Sequence, residues 1–293
     1  MNWCCNHNYY SIVIDLKSTT DKVRGMNMRK SLSDEDIIKH KKSAIKSLDK
    51  VFECFINSPN QRHKKKADLI AYWIETYSKY LLTEERFDYT VIPKYKRGDI
   101  VSVNFGFNVG SEHGGLHYAI VLDNDNKQSS PVITVVPLSS GDEKSTYERD
   151  VFLGNELYDK LNSKYNKLVQ QVDKELEDLN KTVDILSKSI GIGSNNQIEM
   201  DNEMAKEVSE HLNNLRNRID ILIKEKKSLE IYEKEISKLK MGSIALMEQI
   251  TTISKIRIYK PKSSKDLLYG VKFSDGAMDK VNDKLKELYV YYS

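Results

Sequence analysis

The sequence predicts an α+β protein: a small β-barrel, preceded by helices and split by a long helical hairpin. Three observations predict it. Short β-branched runs with glycine-dense turns fill Lys96–Asp125, and the same character resumes at Gly242–Ile258. The stretch between is rich in Lys, Glu, Leu and Asn, with apolar residues at helical spacing. Before Lys96, apolar residues recur every three or four positions. The expected organisation is a mostly helical region over 1–90, a barrel built from 91–154 and 241–293, and an inserted hairpin over 155–240. A loop insertion of this kind is expected to leave its host's core intact.

Within the first segment, Tyr10–Leu16 is strand-like and the rest of the opening thirty residues carries no pattern. Ser33, followed by Asp34, Glu35 and Asp36, is a helix N-cap signal. Ile37, Ile38, Ala44, Ile45, Leu48, Val51, Phe52, Phe55 and Ile56 continue it at helical spacing, and Ser58-Pro59-Asn60 ends it. A second helix is expected over Ala67–Leu82, with Leu69, Ile70, Trp73, Ile74, Tyr77 and Leu81 on one side. The basic run Gln61–Lys66 reads as a solvated helix start or loop, or as a nucleic-acid contact.

In the barrel segment, Ile100, Val101 and Val103 follow the turn-like Arg97-Gly98-Asp99. Gly106, Gly110, Gly114 and Gly115 then crowd one loop, as suits backbone that approaches a ligand closely. Tyr118–Leu122 and Pro131–Leu138 are further strands, with Pro137 at an end or an edge. Val151–Leu153 is a short one. Ser243–Met247 and Ile250–Ile258 supply the remainder.

The insertion carries Leu157, Leu161, Tyr165, Leu168, Val172, Leu176, Leu179, Val183, Leu186 and Ile190 at steps of four and three. A break follows at Gly191–Asn196. Met204, Val208, Leu212, Leu215, Ile219, Leu222, Leu229, Ile236 and Leu239 then resume the seam. An antiparallel coiled-coil hairpin is the expected structure.

Two motifs carry a resemblance. Val109-Gly110-Ser111-Glu112-His113-Gly114-Gly115 follows the Arg-Gly-Asp strand, and Met247-Glu248-Gln249-Ile250-Thr251-Thr252-Ile253-Ser254-Lys255-Ile256-Arg257-Ile258 follows the insertion. In this order they resemble the MazF/PemK family of bacterial toxin endoribonucleases. The resemblance implies an SH3-like barrel and a toxin that cleaves single-stranded RNA. It also implies a cognate antitoxin and a homodimer as partners, and no cofactor or metal. The family's catalytic Arg position holds His117 here, its catalytic Thr position holds Ser139, and an RNA-facing Arg position after the Glu-Gln-Ile motif holds Thr251.

Cleavage by 2′-OH attack needs a base, an acid, and donors for the phosphorane. His117 suits either proton-transfer role, and Ser139 supplies a hydroxyl donor. Glu112, His113, Gly114 and Gly115 share the loop with His117. Lys144, Lys255 and Arg257 supply positive charge, and Gln249 and Thr251 complete the candidate RNA-binding set. Two plainer readings stand beside this one: His117 packs at a strand start with Ser139 in an ordinary turn, and Glu248-Gln249 ties strands together. A second function class also stands: a barrel without its catalytic Arg that only grips RNA or a protein partner.

Composition excludes several alternatives. A net charge of +3 is too small for general polyanion binding. Three cysteines provide no disulfide framework and suit a reducing cytoplasm. Cys4-Cys5, with His7 nearby, lacks zinc-site spacing. No P-loop, no His-Glu-x-x-His motif, no signal peptide and no membrane span is read.

Overall fold

The structure is a computed structural model that describes residues 33–193, 202–239 and 241–291. Tyr10–Leu16, the Cys4-Cys5-His7 group and the turn at 194–201 lie outside these residues. The chain divides into two compact units, with the boundary after Leu69.

In the first unit, α1 spans Asp34–Ile56. The Ser33 hydroxyl accepts from the Asp36 amide at 3.2 Å, satisfying one free donor of the first turn. Helix α2, Gln61–Thr83, starts after Pro59 with Asn60 accepting from the Arg62 amide at 2.9 Å, and from Ile70 on it belongs to the second unit. Its opening turns are the basic run, which is exposed. The α1–α2 turn is fastened by a 2.8 Å bond between Ser58 Oγ and His63 Nδ1, and by Phe55 against the His63 ring.

The second unit contains the sheet. Its strands are β1 (Ile100–Asn104), β2 (Leu116–Val121), β3 (Val132–Ser140), β4 (Val151–Phe152), β5 (Ser243–Ala245), β6 (Thr251–Ser254) and β7 (Ile258–Lys260). All pairs are antiparallel, in the order β4-β5-β3-β2-β1-β7, with β6 on the first half of β3. Strands from both sides of the insertion therefore share one sheet. Strands β4 and β7 are the ends of that order.

Pro137 is neither an end nor an isolated edge. It is the last β3 residue paired with β2, opposite Ala119. Lacking an N–H, it cannot donate to the ladder. Its carbonyl accepts from Leu246 at 2.9 Å, and from Leu138 onward β3 pairs with β5. The expected strand Ile250–Ile258 is likewise interrupted: a 3-10 turn at Lys255–Arg257 separates β6 from β7.

Alternation along the strands feeds two cores. Val101, Val103, Phe105, Ala119, Val121, Ile133, Val135, Ile253 and Ile258 line one. Ile100, Ile120, Leu122, Val136 and Leu138 line the other. A helix not expected from the sequence, α5 (Asp275–Tyr289), covers this second core with Ala277, Met278 and Val281. It begins at Ser274, whose hydroxyl accepts from Ala277.

Two long helices, α3 (Glu156–Gly193) and α4 (Asn202–Ser237), form the insertion. Arg218 pairs with Glu175 at 2.7 Å and Lys226 with Asp173 at 2.6 Å, so the two run antiparallel. Their bases do not stand apart from the host. Leu157, Leu161 and Ile236 are buried in the same core as β1 to β5, and Tyr158, Tyr165, Leu168 and Tyr232 pack around them. The expectation of a separable insertion is corrected accordingly.

Two deletions follow from this. Replacing 176–217 with a short Gly/Ser turn keeps the Glu175–Arg218 contact and the buried base, and this variant is expected to melt cooperatively. Removing 155–240 exposes the core and is expected to abolish the cooperative transition. Leu161→Ala, at 1% exposure, should cost about 2–5 kcal/mol in urea unfolding. A cooperative melt after the larger deletion would contradict the shared core.

Candidate functional site

The site is built on the loop Phe105–Gly115 between β1 and β2. The antiparallel register carries Asn104 opposite Leu116 and Val103 opposite His117. Beyond the strands, Phe105 N donates to Gly115 O at 2.8 Å, and Gly115 N to Gly106 O at 2.7 Å. Glycine is needed at two points of this close approach. A Cβ on Gly114 would lie 2.8 Å from the Gly106 carbonyl. One on Gly106, where φ is +82°, would lie 2.5 Å from the Trp73 indole.

Polar groups hold the rest of the loop. Asn108 Nδ2 donates to His113 O at 2.7 Å, and the Val109 amide donates to Glu112 Oε2 at 3.2 Å. Gln249, from the far side of the insertion, clamps the loop: its Oε1 accepts from the His113 amide at 3.1 Å and its Nε2 donates to Ser111 O at 3.4 Å. The neighbouring Glu248 forms an ion pair with Arg149. The Glu-Gln pair thus ties segments together.

His117 is in phase with Ala119 and Val121 but lies at the outer end of β2, where its side chain is exposed. Its ring sits 4.2 Å from that of His113, and His113 packs edge-on against Phe105 at 5.4 Å. Burial, and secondarily the neighbouring His117, push His113 down to about 4. Burial also lowers His117, opposed by a bond to the Gly114 backbone. Among the described residues, His113 Nε2 is buried without a hydrogen-bond partner. At neutral pH both rings are therefore neutral, and His117 is an accessible proton acceptor.

Arg257 reaches the same loop from the 3-10 turn. Its Nε donates to Asn104 O at 2.9 Å and an Nη donates to Phe105 O. Burial pushes its guanidinium down. The ring of Trp73 lies 5.3 Å from it, and Tyr80, also half-buried, bonds Asn104.

The structure thus gathers Glu112, His113, Gly114, Gly115, His117, Gln249 and Arg257. Ser139 is not joined to this group: the β2–β3 ladder ends at Ala119–Pro137, and Ser139 pairs with Ile244 of β5. Thr251 opposes Val135 on β6 and is half-buried. Lys144 is exposed in the 3-10 turn after β3, which Asp142 caps. Lys255 is a correction. Its side chain is fully buried, and its ammonium donates to the carbonyls of Lys127 and Gln128 at 2.9 and 3.2 Å, beyond the opposite end of β2. It fastens the β2–β3 connection and cannot reach the glycine loop.

The sequence reading missed Asn104 and Tyr80, and it took Trp73 and Tyr77 for ordinary helix packing. The spacing 73, 77 and 80 on one helical face was the available signal.

His113 yields a pH prediction. Its folded pKa lies below the ordinary value near 6.5, so the unfolded chain protonates first. Its contribution to stability is complete above about pH 6.5 and is lost as pH falls toward 4. The urea midpoint should drop between about pH 7 and 5. His113→Leu removes an unsatisfied buried nitrogen and should flatten that drop, His117 leaving a residual slope. An unchanged slope would contradict the burial of His113.

Comparison with known proteins bears on the same segment. No curated protein matches the chain. The family of PemK-like, MazF-like toxins of type II toxin–antitoxin systems matches residues 96–189, about a third of the chain. The match holds β1 to β4, the glycine loop and His117, and ends within α3 before the second motif. Over 96–189, then, this chain is similar to PemK-like, MazF-like toxins.

Proposed function

We propose that the chain is the toxin of a type II toxin–antitoxin pair and acts as a metal-independent endoribonuclease on single-stranded RNA. The observation that carries this is the His113–His117 pair on the glycine loop, within the segment similar to the toxin family. His117 is the general base. Its neutral, exposed ring can take the proton of a 2′-OH, whose oxygen then attacks the adjacent phosphorus to form a 2′,3′-cyclic phosphate, while the bond from phosphorus to the 5′-oxygen breaks and that oxygen leaves as a hydroxyl with a proton from solvent water. Backbone at Gly114–Gly115 can lie against the phosphate, since no side chain intervenes. Ser139, on the end of β3 that pairs with β5, is assigned as donor to a non-bridging oxygen. Lys144, exposed beyond it, supplies charge. Thr251 contributes a hydroxyl at the same face. Glu112, His113, Gln249 and Arg257 hold the loop in place.

The architecture proposed for this function is the SH3-like barrel, with α3 and α4 as a coiled-coil hairpin and the N-terminal helices as a separate addition. Supporting it are the two-sided core, the switch of β3 from β2 to β5, and the ion pairs between α3 and α4. A homodimer, a cognate antitoxin and a cytoplasmic location belong to the same proposal. Among the described residues no helix is long and apolar enough to cross a membrane.

One observation favours the second reading, a barrel that binds RNA or a protein without cutting. Lys255 is buried, and Arg257 is committed to two carbonyls, so neither is left to neutralise a phosphorane.

A cleavage assay separates the two. The parent should cut single-stranded RNA in EDTA. His117→Ala should slow it by about 10²–10⁴ and Ser139→Ala by less. The parent rate should rise with pH through an apparent pKa below about 6.5 and then level off, as a depressed base requires. If His117→Ala cuts as fast as the parent, the base assignment is wrong. If the parent binds RNA without cutting it, the binding reading replaces the enzyme.

A further inference from the structure

We propose that Tyr77, stacked on Trp73, is a shelf on which a nucleobase of single-stranded RNA stacks beside the glycine loop. This deepens the RNA-cleaving reading and rests on it.

Trp73 is fixed by several contacts. One part of its indole lies on the bare backbone of Gly106, where a Cβ would stand at 2.5 Å. The Arg257 guanidinium is 5.3 Å from its ring. Tyr80 meets it edge-on at 6.2 Å and is itself held by Asn104. Tyr77 stacks on it at 5.6 Å and 30°, yet is 48% exposed. A ring stacked at 30° on a packed indole and half in water offers a stacking surface. Base–aromatic stacking of this kind is tolerant of sequence, because every base has a π-face.

The shelf abuts the proposed chemistry. Gly106, under Trp73, accepts from Gly115 at 2.7 Å, and a Cβ on Gly115 would lie 3.5 Å from His117 Nε2. A strand with one phosphate at Gly114–Gly115 would bring a flanking base toward Tyr77. Helix α2 lies outside the residues similar to the toxin family.

The test is equilibrium binding of a fluorescein-labelled, fully 2′-O-methylated single-stranded RNA, which cannot be cut. Tyr77→Ala should weaken it by about 5- to 100-fold, the usual worth of one stacked base. Tyr77→Phe should bind as the parent does. On the same RNA carrying an abasic nucleotide at the contacted position, Tyr77→Ala and parent should bind alike. A structural defect would instead weaken both RNAs equally, and that result overturns the proposal. So does unchanged affinity of Tyr77→Ala, with the RNA reading left standing. Absence of binding by the parent overturns both.

Discussion

Strand β3 is the constraint on which the rest depends. Its first half pairs with β2 and β6, and its second half pairs with β5. Of these, β5 and β6 lie beyond the insertion, so β3 joins the two flanks along most of its length, with the β1–β7 and β4–β5 pairs joining them at the two ends of the sheet. Pro137 is the last β3 residue opposite β2, and on the other edge of the strand its carbonyl accepts from Leu246, beyond the insertion. Because loop-closure entropy grows slowly with length, a long helical insertion between paired strands is tolerated. The base of that insertion also adds to the core: Leu157, Leu161 and Ile236 are buried in the same cluster as Ala277, Met278 and Val281 of α5.

The site inherits this arrangement. Gln249 and Arg257 come from beyond the insertion, yet both bind the loop that precedes it. The loop has few side chains able to fix it from within. Gly106 and Gly114 let backbone approach backbone, and the amide of Gln249 holds what they leave loose. The price of this tight packing is a half-buried histidine, His113, with one nitrogen unsatisfied. That cost keeps the ring neutral and places it against His117. An exposed imidazole beside a neutral one keeps its basic lone pair at physiological pH, whereas a nearby cation would polarise it differently.

Much of this was legible in the sequence where pattern and position coincide. The β-branched runs, the glycine loop, the second motif and the apolar seam of α3 and α4 all map onto elements of the structure. Helix α5 was missed, although Ser274 and the 277, 278, 281 spacing signal it, because the barrel pattern was extended through it. Lys255 and Arg257 were read as charges for RNA from their place in a motif. Burial decides otherwise: the aliphatic stem of Lys255 is in the core, and its ammonium is satisfied by two carbonyls. No local pattern distinguishes such a lysine from an exposed one. Trp73 and Tyr77 were visible as a helical face, but the bare backbone of Gly106 that receives Trp73 lies in a different segment of the chain.

The central claim is that RNA is cut by its own 2′-OH, with His117 accepting the proton. The chemistry of the ends tests it most directly. Mass spectrometry of the products of a short single-stranded RNA should show a 2′,3′-cyclic phosphate on the upstream fragment and a free 5′-hydroxyl on the downstream one. Upstream fragments ending in a 3′-hydroxyl, with a 5′-phosphate downstream, would mean that water attacks instead and would contradict the account.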